Sequence, residues 1–473
     1  MLVPCNSKRK SSPFVQNEPR RYHLMDLRDT NLFKPIVIGN NVQLNHRIVH
    51  LPTSRSRSTD DGENFPTDLM VQYYDSRSKA EGSLIIFESS LVSPRSGLMP
   101  YKSGVWSTDQ CKALKQITDA IHANGSFVSC QVFAPGRTSN ISLLKRKNLP
   151  FLAPSSIYHS EDSEKAARDL KHSLQELTID QIYAIQQDFV TAAANCLTVA
   201  GFDFVELHGT SGFLVEQFLS PVSNTRSDEY GGTVENRCRF LKEIIDMLIA
   251  HPSIGSNKIG IRLSAWSTHF GMKYPADEYS MDETFPPLVY CEHLLSFLED
   301  HKQTGNELAY VSIIEPRVSG SLDQNPLGRT NSSLLSKWSG IVVRAGGYAT
   351  NYKGDPSCIA SNNSNLKVRH GQIHHYSSLI NDVSLDDRTL IGFSRPFTSN
   401  PDLVERLRND KKLDLYHREY FYTHQLEGYL TFGEYVDDEL YSNTLKLPYK
   451  ELQRRAESLA SNGNLHGAQC KAV

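Results

Sequence analysis

Eight short runs of apolar and β-branched residues recur along the chain, and most of them precede a segment with helical periodicity. This alternation predicts parallel strands joined by crossover helices, and eight strands are the number that closes a barrel. The sequence therefore predicts an α/β fold, a (β/α)8 TIM barrel. The predicted strands are Arg47 to Leu51, Ser83 to Glu88, Phe127 to Phe133, Phe204 to His208, Ile259 to Ser264, Leu308 to Glu315, Gly340 to Arg344 and Thr389 to Phe393.

The helices between these strands have readable start signals. Ser107 followed by Gln110 predicts a capping box, in which each side chain satisfies a backbone amide at the start of a helix. Thr178 and Gln181 repeat the pattern. Residues 234–250 place apolar side chains on one face and are predicted to form a third helix. Periodicity of this kind indicates the fold and says nothing of the chemistry.

The chain is longer than a minimal barrel, and we divide it into a barrel and two terminal extensions. Residues 1–30 are predicted to be a loosely ordered N-terminal extension, 31–445 the barrel and 446–473 a C-terminal extension. Residues 134–176 enlarge the loop after the third strand and form either a substrate-facing lid or a solvated excursion. Residues 352–378, which contain the Ser- and Asn-rich stretch 357–365, are predicted to be a disordered surface insertion.

Composition limits the function classes. The chain of 473 residues is 39% hydrophobic and 22% charged with a net charge of −3, which favours neither a nucleic-acid nor a membrane partner. The cysteines are scattered without metal-ligand spacing, so we expect reduced thiols in a cytoplasmic protein and no metal site. They are Cys5, Cys111, Cys130, Cys196, Cys238, Cys291, Cys358 and Cys470.

The most informative stretch, residues 208–232, begins where the fourth predicted strand ends. It reads HGTSGFLVEQFLSPVSNTRSDEYGG and is followed by Asn236-Arg-Cys-Arg-Phe240. Barrel enzymes carry catalytic groups at this end of their strands. A lone histidine there is more often a packing residue, but the rest of the stretch supports a catalytic role for His208.

This stretch resembles the old yellow enzyme family, whose motif reads H-x-x-N-G-Y-L, then Q-F-L, N-x-R-x-D-x-Y-G-G and N-R-x-R-F. Further matches begin at Leu32-Phe-Lys-Pro-Ile36 and run through Asn400-Pro-Asp-Leu403 to Gly428-Tyr429, so the resemblance covers residues 30–445. It implies an FMN cofactor that takes hydride from NADPH. It also implies that the hydride passes to an electron-poor acceptor such as an α,β-unsaturated carbonyl, a quinone or a nitro compound.

The resemblance assigns roles to residues near the isoalloxazine. Gln131 matches the glutamine at the pyrimidine edge, and Arg262 matches the arginine beside N1, which stabilises the reduced anion. Pro52 and Ser54 stand where the family has a proline and a threonine, and the Ser54 hydroxyl keeps the donor to the C4 carbonyl. Ser89 is also assigned to the cofactor site.

The FMN phosphate is assigned to the loops after strands seven and eight, where barrels commonly bind phosphate. Gly346, Gly347, Ser394 and Arg395 match this site. Gly347 replaces a family asparagine, and Ser394 replaces a glycine whose bare backbone closely approaches the phosphate.

The substrate side departs further from the family. His208 is retained, but its asparagine partner is replaced by Ser211. Phe213 replaces the tyrosine that protonates the substrate, and phenylalanine has no proton to donate. Tyr429 matches a tyrosine that lines the substrate cavity, and Tyr101 is the candidate substitute donor.

Three functions remain open at this stage. An active reductase should favour acceptors that need no carbon protonation. A double-bond isomerase would return the hydride because no acid traps the intermediate. A catalytically impaired flavin-binding relative would have lost turnover. The resemblance also implies a homodimer.

Overall fold

The computed structural model describes residues 27–39, 41–275, 283–349 and 376–435. Within these ranges the backbone forms 14 strands and 12 α-helices. The strands are β1 (Ile36–Ile38), β2 (Val42–Leu44), β3 (Ile48–His50), β4 (Leu84–Leu91), β5 (Phe127–Phe133), β6 (Phe151–Ala153), β7 (Leu174–Glu176), β8 (Phe204–His208), β9 (Ile259–Leu263), β10 (Tyr310–Ile314), β11 (Val318–Ser319), β12 (Leu322–Asp323), β13 (Val342–Ala345) and β14 (Thr389–Phe393).

Eight of these strands close a parallel barrel in the order β3-β4-β5-β8-β9-β10-β13-β14. The eight are the predicted ones, so the (β/α)8 barrel is confirmed. Three of them, β5, β8 and β14, have the predicted bounds. The register pairs Gln131 of β5 with Glu206 of β8, and His208 of β8 with Arg262 of β9. The predicted site residues Gln131, His208 and Arg262 therefore lie on three adjacent strands.

The helices surround the barrel and have the predicted start signals. Both capping boxes are present, and residues 234–250 form the third predicted helix. The helices are α1 (Asp68–Arg77), α2 (Thr108–Ala123), α3 (Ile141–Arg146), α4 (Glu161–Asp169), α5 (Ile179–Asn195), α6 (Leu214–Leu219), α7 (Val234–Ala250), α8 (Pro286–Gln303), α9 (Ser332–Lys337), α10 (Ser377–Ser384), α11 (Arg395–Ser399) and α12 (Leu403–Arg408). None of the described helices is long and apolar enough to cross a membrane.

The β1-β2 hairpin lies at the end of the barrel where the strands begin. Ile38 and Leu44 of the hairpin share a buried cluster with Leu84, Phe204 and Leu390, which stand at or near the first residues of their strands. Burial of these side chains fills the amino-terminal end of the barrel. The carboxyl-terminal end carries the cavity described below.

The enlarged loop after the third barrel strand is ordered and packed. It contains α3, β6, α4 and β7, and β6 pairs with β7 in a separate two-stranded parallel sheet. Phe151 and Leu174 of this loop share a buried cluster with Phe133 and Phe213. This apolar contact with the site favours the substrate-facing lid over the solvated excursion.

The predicted extensions lie mostly outside the described residues. Residues 27–29 of the N-terminal extension form a 3-10 turn, and the Leu27 side chain is buried. Residues 1–26, 350–375 and 436–473 are not described, so the C-terminal extension and most of the predicted insertion fall outside them. The last residues of the insertion begin α10.

Candidate active site

A cavity opens at the carboxyl ends of the barrel strands and gathers all but two of the predicted site residues. Every barrel strand contributes a lining residue from its carboxyl-terminal half or from the residue directly after it. The predicted residues in its lining are Pro52, Ser54, Ser89, Gln131, His208, Ser211, Phe213, Arg262, Gly346, Gly347, Ser394 and Arg395.

Gln131 is fixed in orientation by two buried neighbours. Its side-chain oxygen accepts a hydrogen bond from the Ser89 hydroxyl, and its amide nitrogen donates to Glu206 over 2.6 Å. Gln131 and Glu206 are almost completely buried. The chain of hydrogen bonds holds the amide of Gln131 in one orientation at the cavity wall, as a group that binds a planar heterocycle through its edge requires.

Arg262 lies on the strand next to His208 and lines the same cavity. Its Nη1 atom is buried and has no hydrogen-bond partner among the described residues. Burial lowers the pKa of this guanidinium, and the nearby Glu206 carboxylate opposes the shift. A buried donor without a partner is costly, so this position suits a ligand that presents an acceptor or a negative charge.

Glu206 makes stability depend on pH. Burial raises the pKa of this carboxyl from 4.5 to about 7, against the opposing charge of Arg262 and the hydrogen bond from Gln131. The folded protein therefore binds the proton more tightly than the unfolded chain. We predict that the free energy of unfolding of the apoprotein falls by about 3 kcal/mol between pH 4.5 and pH 7 because of this group.

The Glu206→Gln variant should lose this part of the pH dependence, because glutamine keeps the shape and does not titrate. Urea unfolding at pH 5 and pH 7.5 measures the difference, with Glu81→Gln at an exposed position as the control. A Glu206→Gln variant with the same pH dependence as the wild-type protein would contradict the assignment.

His208 ends β8 and faces two aromatic rings. Its ring centroid lies 4.9 Å from that of Phe213 and 6.3 Å from that of Phe133. Burial lowers its pKa well below 6.5, and the positive charges of Arg262 and Lys102 lower it further. The imidazole is therefore neutral near pH 7, so one ring nitrogen carries a proton and can donate it in a hydrogen bond to an acceptor oxygen.

Ser211 and Phe213 lie on the turn that joins β8 to α6. Ser211 has a φ of 65°, in the left-handed region that asparagine adopts more readily than serine. Phe213 is 9% exposed, and its ring centroid lies 4.7 Å from that of Phe133. The serine therefore keeps a backbone conformation suited to the family asparagine but offers only one hydroxyl.

Two residues just downstream, Glu216 and Gln217, hold this turn in place and do not line the cavity. The Glu216 carboxylate accepts the Gly212 amide over 2.6 Å. The Gln217 amide donates to the carbonyls of Gly212 and Pro135 over 2.7 and 2.8 Å. The Q-F-L part of the motif thus has a positioning role in this chain.

The phosphate-side loops meet across the cavity. Gly346 and Gly347 have φ angles of 112° and 74°, and a Cβ atom on Gly346 would lie 2.6 Å from Val318 Cγ2. Glycine is therefore required at this turn, which exposes backbone rather than side chains. On the other loop, the Ser394 hydroxyl shares a 2.8 Å hydrogen bond with the Thr53 hydroxyl.

Arg395 lines the cavity but is also paired within the protein. Its Nη1 donates to Asp323 over 2.6 Å and to the Tyr416 hydroxyl over 3.2 Å. Asp323 belongs to the β11-β12 hairpin and also pairs with Arg418 over 2.8 Å. The two guanidinium groups of Arg395 and Arg418 therefore share the Asp323 carboxylate beside the predicted phosphate site.

Comparison with known proteins decides the family. The model of the NADH:flavin oxidoreductase / NADH oxidase family matches residues 31–366. The chain belongs to this family. The resemblance to old yellow enzymes is confirmed: the fold matches an Old Yellow Enzyme from Pichia sp. AKU4542 with a TM-score of 0.74 and 39% identity, over 86% of this chain and 95% of that one.

Curated relatives agree over most of their length. A probable NADPH dehydrogenase of Candida albicans is 39% identical, over 89% of this chain and 95% of the relative. Enoate reductase 1 of Kluyveromyces lactis is 35% identical, over 90% of this chain and 98% of the relative. The protein is an FMN-dependent oxidoreductase with the (β/α)8 barrel of its family.

The two predicted residues outside the cavity lining are both tyrosines. Tyr429 is fully buried, and its ring stacks on that of Tyr73 with a centroid distance of 4.4 Å. The guanidinium of Arg57 lies over the Tyr429 ring, 4.4 Å from its centroid. The expectation that Tyr429 lines the substrate cavity is wrong in this structure, because the ring packs in this cluster. Tyr422, seven positions earlier, lines the cavity instead.

Tyr101 does not reach the cavity either. Its hydroxyl donates to Asp60 over 3.2 Å, and its ring stacks on His424 with a centroid distance of 3.5 Å. Burial and the Asp60 carboxylate both raise its pKa. A hydroxyl held by Asp60 at the surface does not fit the expected role as the substitute proton donor.

Lys102, His269 and Tyr422 also line the cavity, although the sequence did not indicate them as site residues. None of the three lies in a motif of the family resemblance. Lys102 stands next to Tyr101, in the loop after the second barrel strand.

Proposed function

We propose that the chain transfers hydride from NADPH to an electron-poor acceptor, with FMN held by the cavity residues that the resemblance assigns. Gln131 and Arg262 would bind the isoalloxazine, Ser54 its C4 carbonyl, and the loops of Gly346 and Arg395 the phosphate. FMN, when bound, accepts hydride from the nicotinamide and delivers it to the acceptor. NADPH is the donor named in the Candida albicans relative.

One observation carries this proposal. The cavity is lined by three cationic side chains, Lys102, Arg262 and Arg395, and by no aspartate or glutamate among the described residues. A lining of this kind suits an anionic phosphate at one end and a ring that gains negative charge on reduction at the other. The buried Nη1 of Arg262 without a partner points to the same ligand.

The residues on the substrate side determine which acceptors react well. His208 and Ser211 donate hydrogen bonds to an acceptor oxygen and draw charge from the carbon that receives hydride. Phe213 leaves the α-carbon without a tyrosine proton donor at that position. We therefore propose that quinones and nitro compounds, which need no protonation at carbon, are reduced faster than enones.

Anaerobic stopped-flow kinetics test this function. NADPH should reduce the bound flavin, and a quinone should reoxidise it faster than a cyclic enone does. Flavin that stays oxidised with excess NADPH would contradict the proposal and support a catalytically impaired flavin-binding relative.

Double-bond isomerisation is the second candidate, and the missing hydroxyl at Phe213 favours it. Without an acid at that position, an enone that has received hydride at its β-carbon can rotate about the Cα–Cβ bond and lose a hydride from the same carbon, which regenerates an enone with changed double-bond geometry. Product analysis separates the two functions. Rearranged enone formed without net consumption of NADPH would identify an isomerase, whereas saturated product formed with equal consumption of NADPH would identify a reductase.

We also propose a cytoplasmic protein that forms a homodimer. All five cysteines within the described residues are free and buried, which suits a reducing compartment. The homodimer rests on the family resemblance alone. Light scattering of the purified chain should give twice the mass of the 53.3 kDa monomer, and the monomer mass would contradict it.

A further inference from the structure

Lys102 is a cation of the cavity that the family resemblance did not assign. It lies between β4 and α2, its side chain is partly buried, and it lines the cavity beside Ser54 and His208. Its ammonium group lies 5.6 Å from the centroid of the Phe133 ring. The ion pairs between described residues do not include it, so its charge is not neutralised by direct contact with a described carboxylate.

The ammonium donates a hydrogen bond to the hydroxyl of Ser54. An ammonium group has three donors and no acceptor, so Ser54 must accept this bond. The hydrogen of the Ser54 hydroxyl is then free to be donated to another acceptor. Lys102 therefore fixes Ser54 as a donor toward the cavity.

We propose that Lys102 is a positioning residue for the flavin, which acts through Ser54 and raises the reduction potential of the bound FMN. This inference rests on the proposed function, since it requires FMN in the cavity with Ser54 at its C4 carbonyl.

The positive charge of Lys102 determines the direction of the effect on the potential. Two-electron reduction adds negative charge to the isoalloxazine, and a cation nearby stabilises that form more than the neutral oxidised one. The low-dielectric surroundings of a partly buried site strengthen the interaction. Lys102 adds to Arg262, which lines the same cavity, and so favours the reduced cofactor that reacts with weak acceptors.

Glu88 is the acidic group that bears on this lysine. Its carboxylate accepts hydrogen bonds from the Arg55 amide over 3.2 Å and from the Tyr74 hydroxyl over 3.4 Å. Burial lowers the pKa of Lys102, and the negative charge of Glu88 opposes that shift. The carboxylate thus favours the charged ammonium without occupying its hydrogen-bonding positions.

The test is an anaerobic redox titration of the FMN-loaded enzyme against a reference dye. In Lys102→Met, the ratio of reduced to oxidised flavin at a fixed potential should fall about tenfold, which is a shift of about 30 mV to more negative values. Lys102→Arg is the matched control, because it keeps the charge and a donor for Ser54, and it should stay close to the wild-type potential.

A double-mutant cycle tests the route through Ser54. If Lys102 acts through this hydroxyl, Lys102→Met should shift the potential less in a Ser54→Ala background than in the wild-type protein. Lys102→Gln provides a second neutral variant should Lys102→Met fail to fold, and it should also lower the potential.

An unchanged potential in Lys102→Met or Lys102→Gln would overturn the inference, and so would an equal shift in Lys102→Arg and Lys102→Met. The failure of the proposed function is distinguishable from these results, because a wild-type chain that binds no FMN gives no flavin potential at all.

Discussion

The Phe213→Tyr variant should reduce enones about 10²- to 10⁴-fold faster than the wild-type protein, which is the range that general acid catalysis commonly supplies. The new hydroxyl would restore a proton donor on the turn between β8 and α6. The Phe213 ring already lines the cavity, with its centroid 4.9 Å from that of His208. The substitution adds only one oxygen atom to this ring. Single-turnover reoxidation of the reduced enzyme by a cyclic enone, followed anaerobically, measures the effect.

A quinone acceptor is the control for this variant. Its reduction needs no protonation at carbon, so its rate should change little in Phe213→Tyr. An unchanged rate with the enone would show that the proton already comes from another group of the cavity or from water. Equal acceleration with both acceptors would assign the effect to acceptor binding rather than to proton transfer.

The Arg395→Met variant should bind FMN about 100-fold more weakly. A charge-assisted hydrogen bond contributes about 1.5–3 kcal/mol, and each 1.4 kcal/mol changes affinity about tenfold. Arg395 lines the cavity beside the glycine turn of residues 346 and 347, where its charge would meet the phosphate. Titration of the apoprotein with FMN, followed by the quenching of flavin fluorescence, gives the dissociation constant.

Asp323→Asn is the matched variant, and it should act in the opposite direction. The Asp323 carboxylate lies 2.6 Å from Arg395 and competes with an incoming phosphate for the same guanidinium. Its neutralisation should therefore strengthen FMN binding. Loss of affinity in both variants would show instead that Asp323 holds Arg395 in its binding orientation.

The barrel could be predicted from the sequence because its signal is local. Each strand is a short apolar run, and each of the three helices that we predicted has its start signal or apolar face within one stretch of chain. Strand ends were less certain. β4 continues three residues past the predicted end at Glu88 to Leu91, because it pairs with β5 through an irregularity between Phe87 and Ser90. The sequence of one strand does not show how its partner is registered.

The site could be predicted where the family resemblance assigns residues near the ends of barrel strands. The resemblance assigns Gln131 and Arg262 to the isoalloxazine and His208 to the substrate, and all three line the cavity because the carboxyl ends of parallel strands converge. The packing of an isolated aromatic side chain depends on residues far away in the sequence. Tyr429 stacks on Tyr73, 356 residues earlier, and nothing near either residue in the sequence indicates this contact.

The visible spectrum of the purified chain, recorded before and after anaerobic addition of NADPH, tests the central claim most directly. The claim is that the amide, guanidinium and glycine-turn residues of one cavity hold a single FMN that a nicotinamide can reduce. We predict a yellow protein with one FMN per chain, whose absorption NADPH bleaches and a quinone restores. A colourless protein that added FMN does not turn yellow would contradict the account.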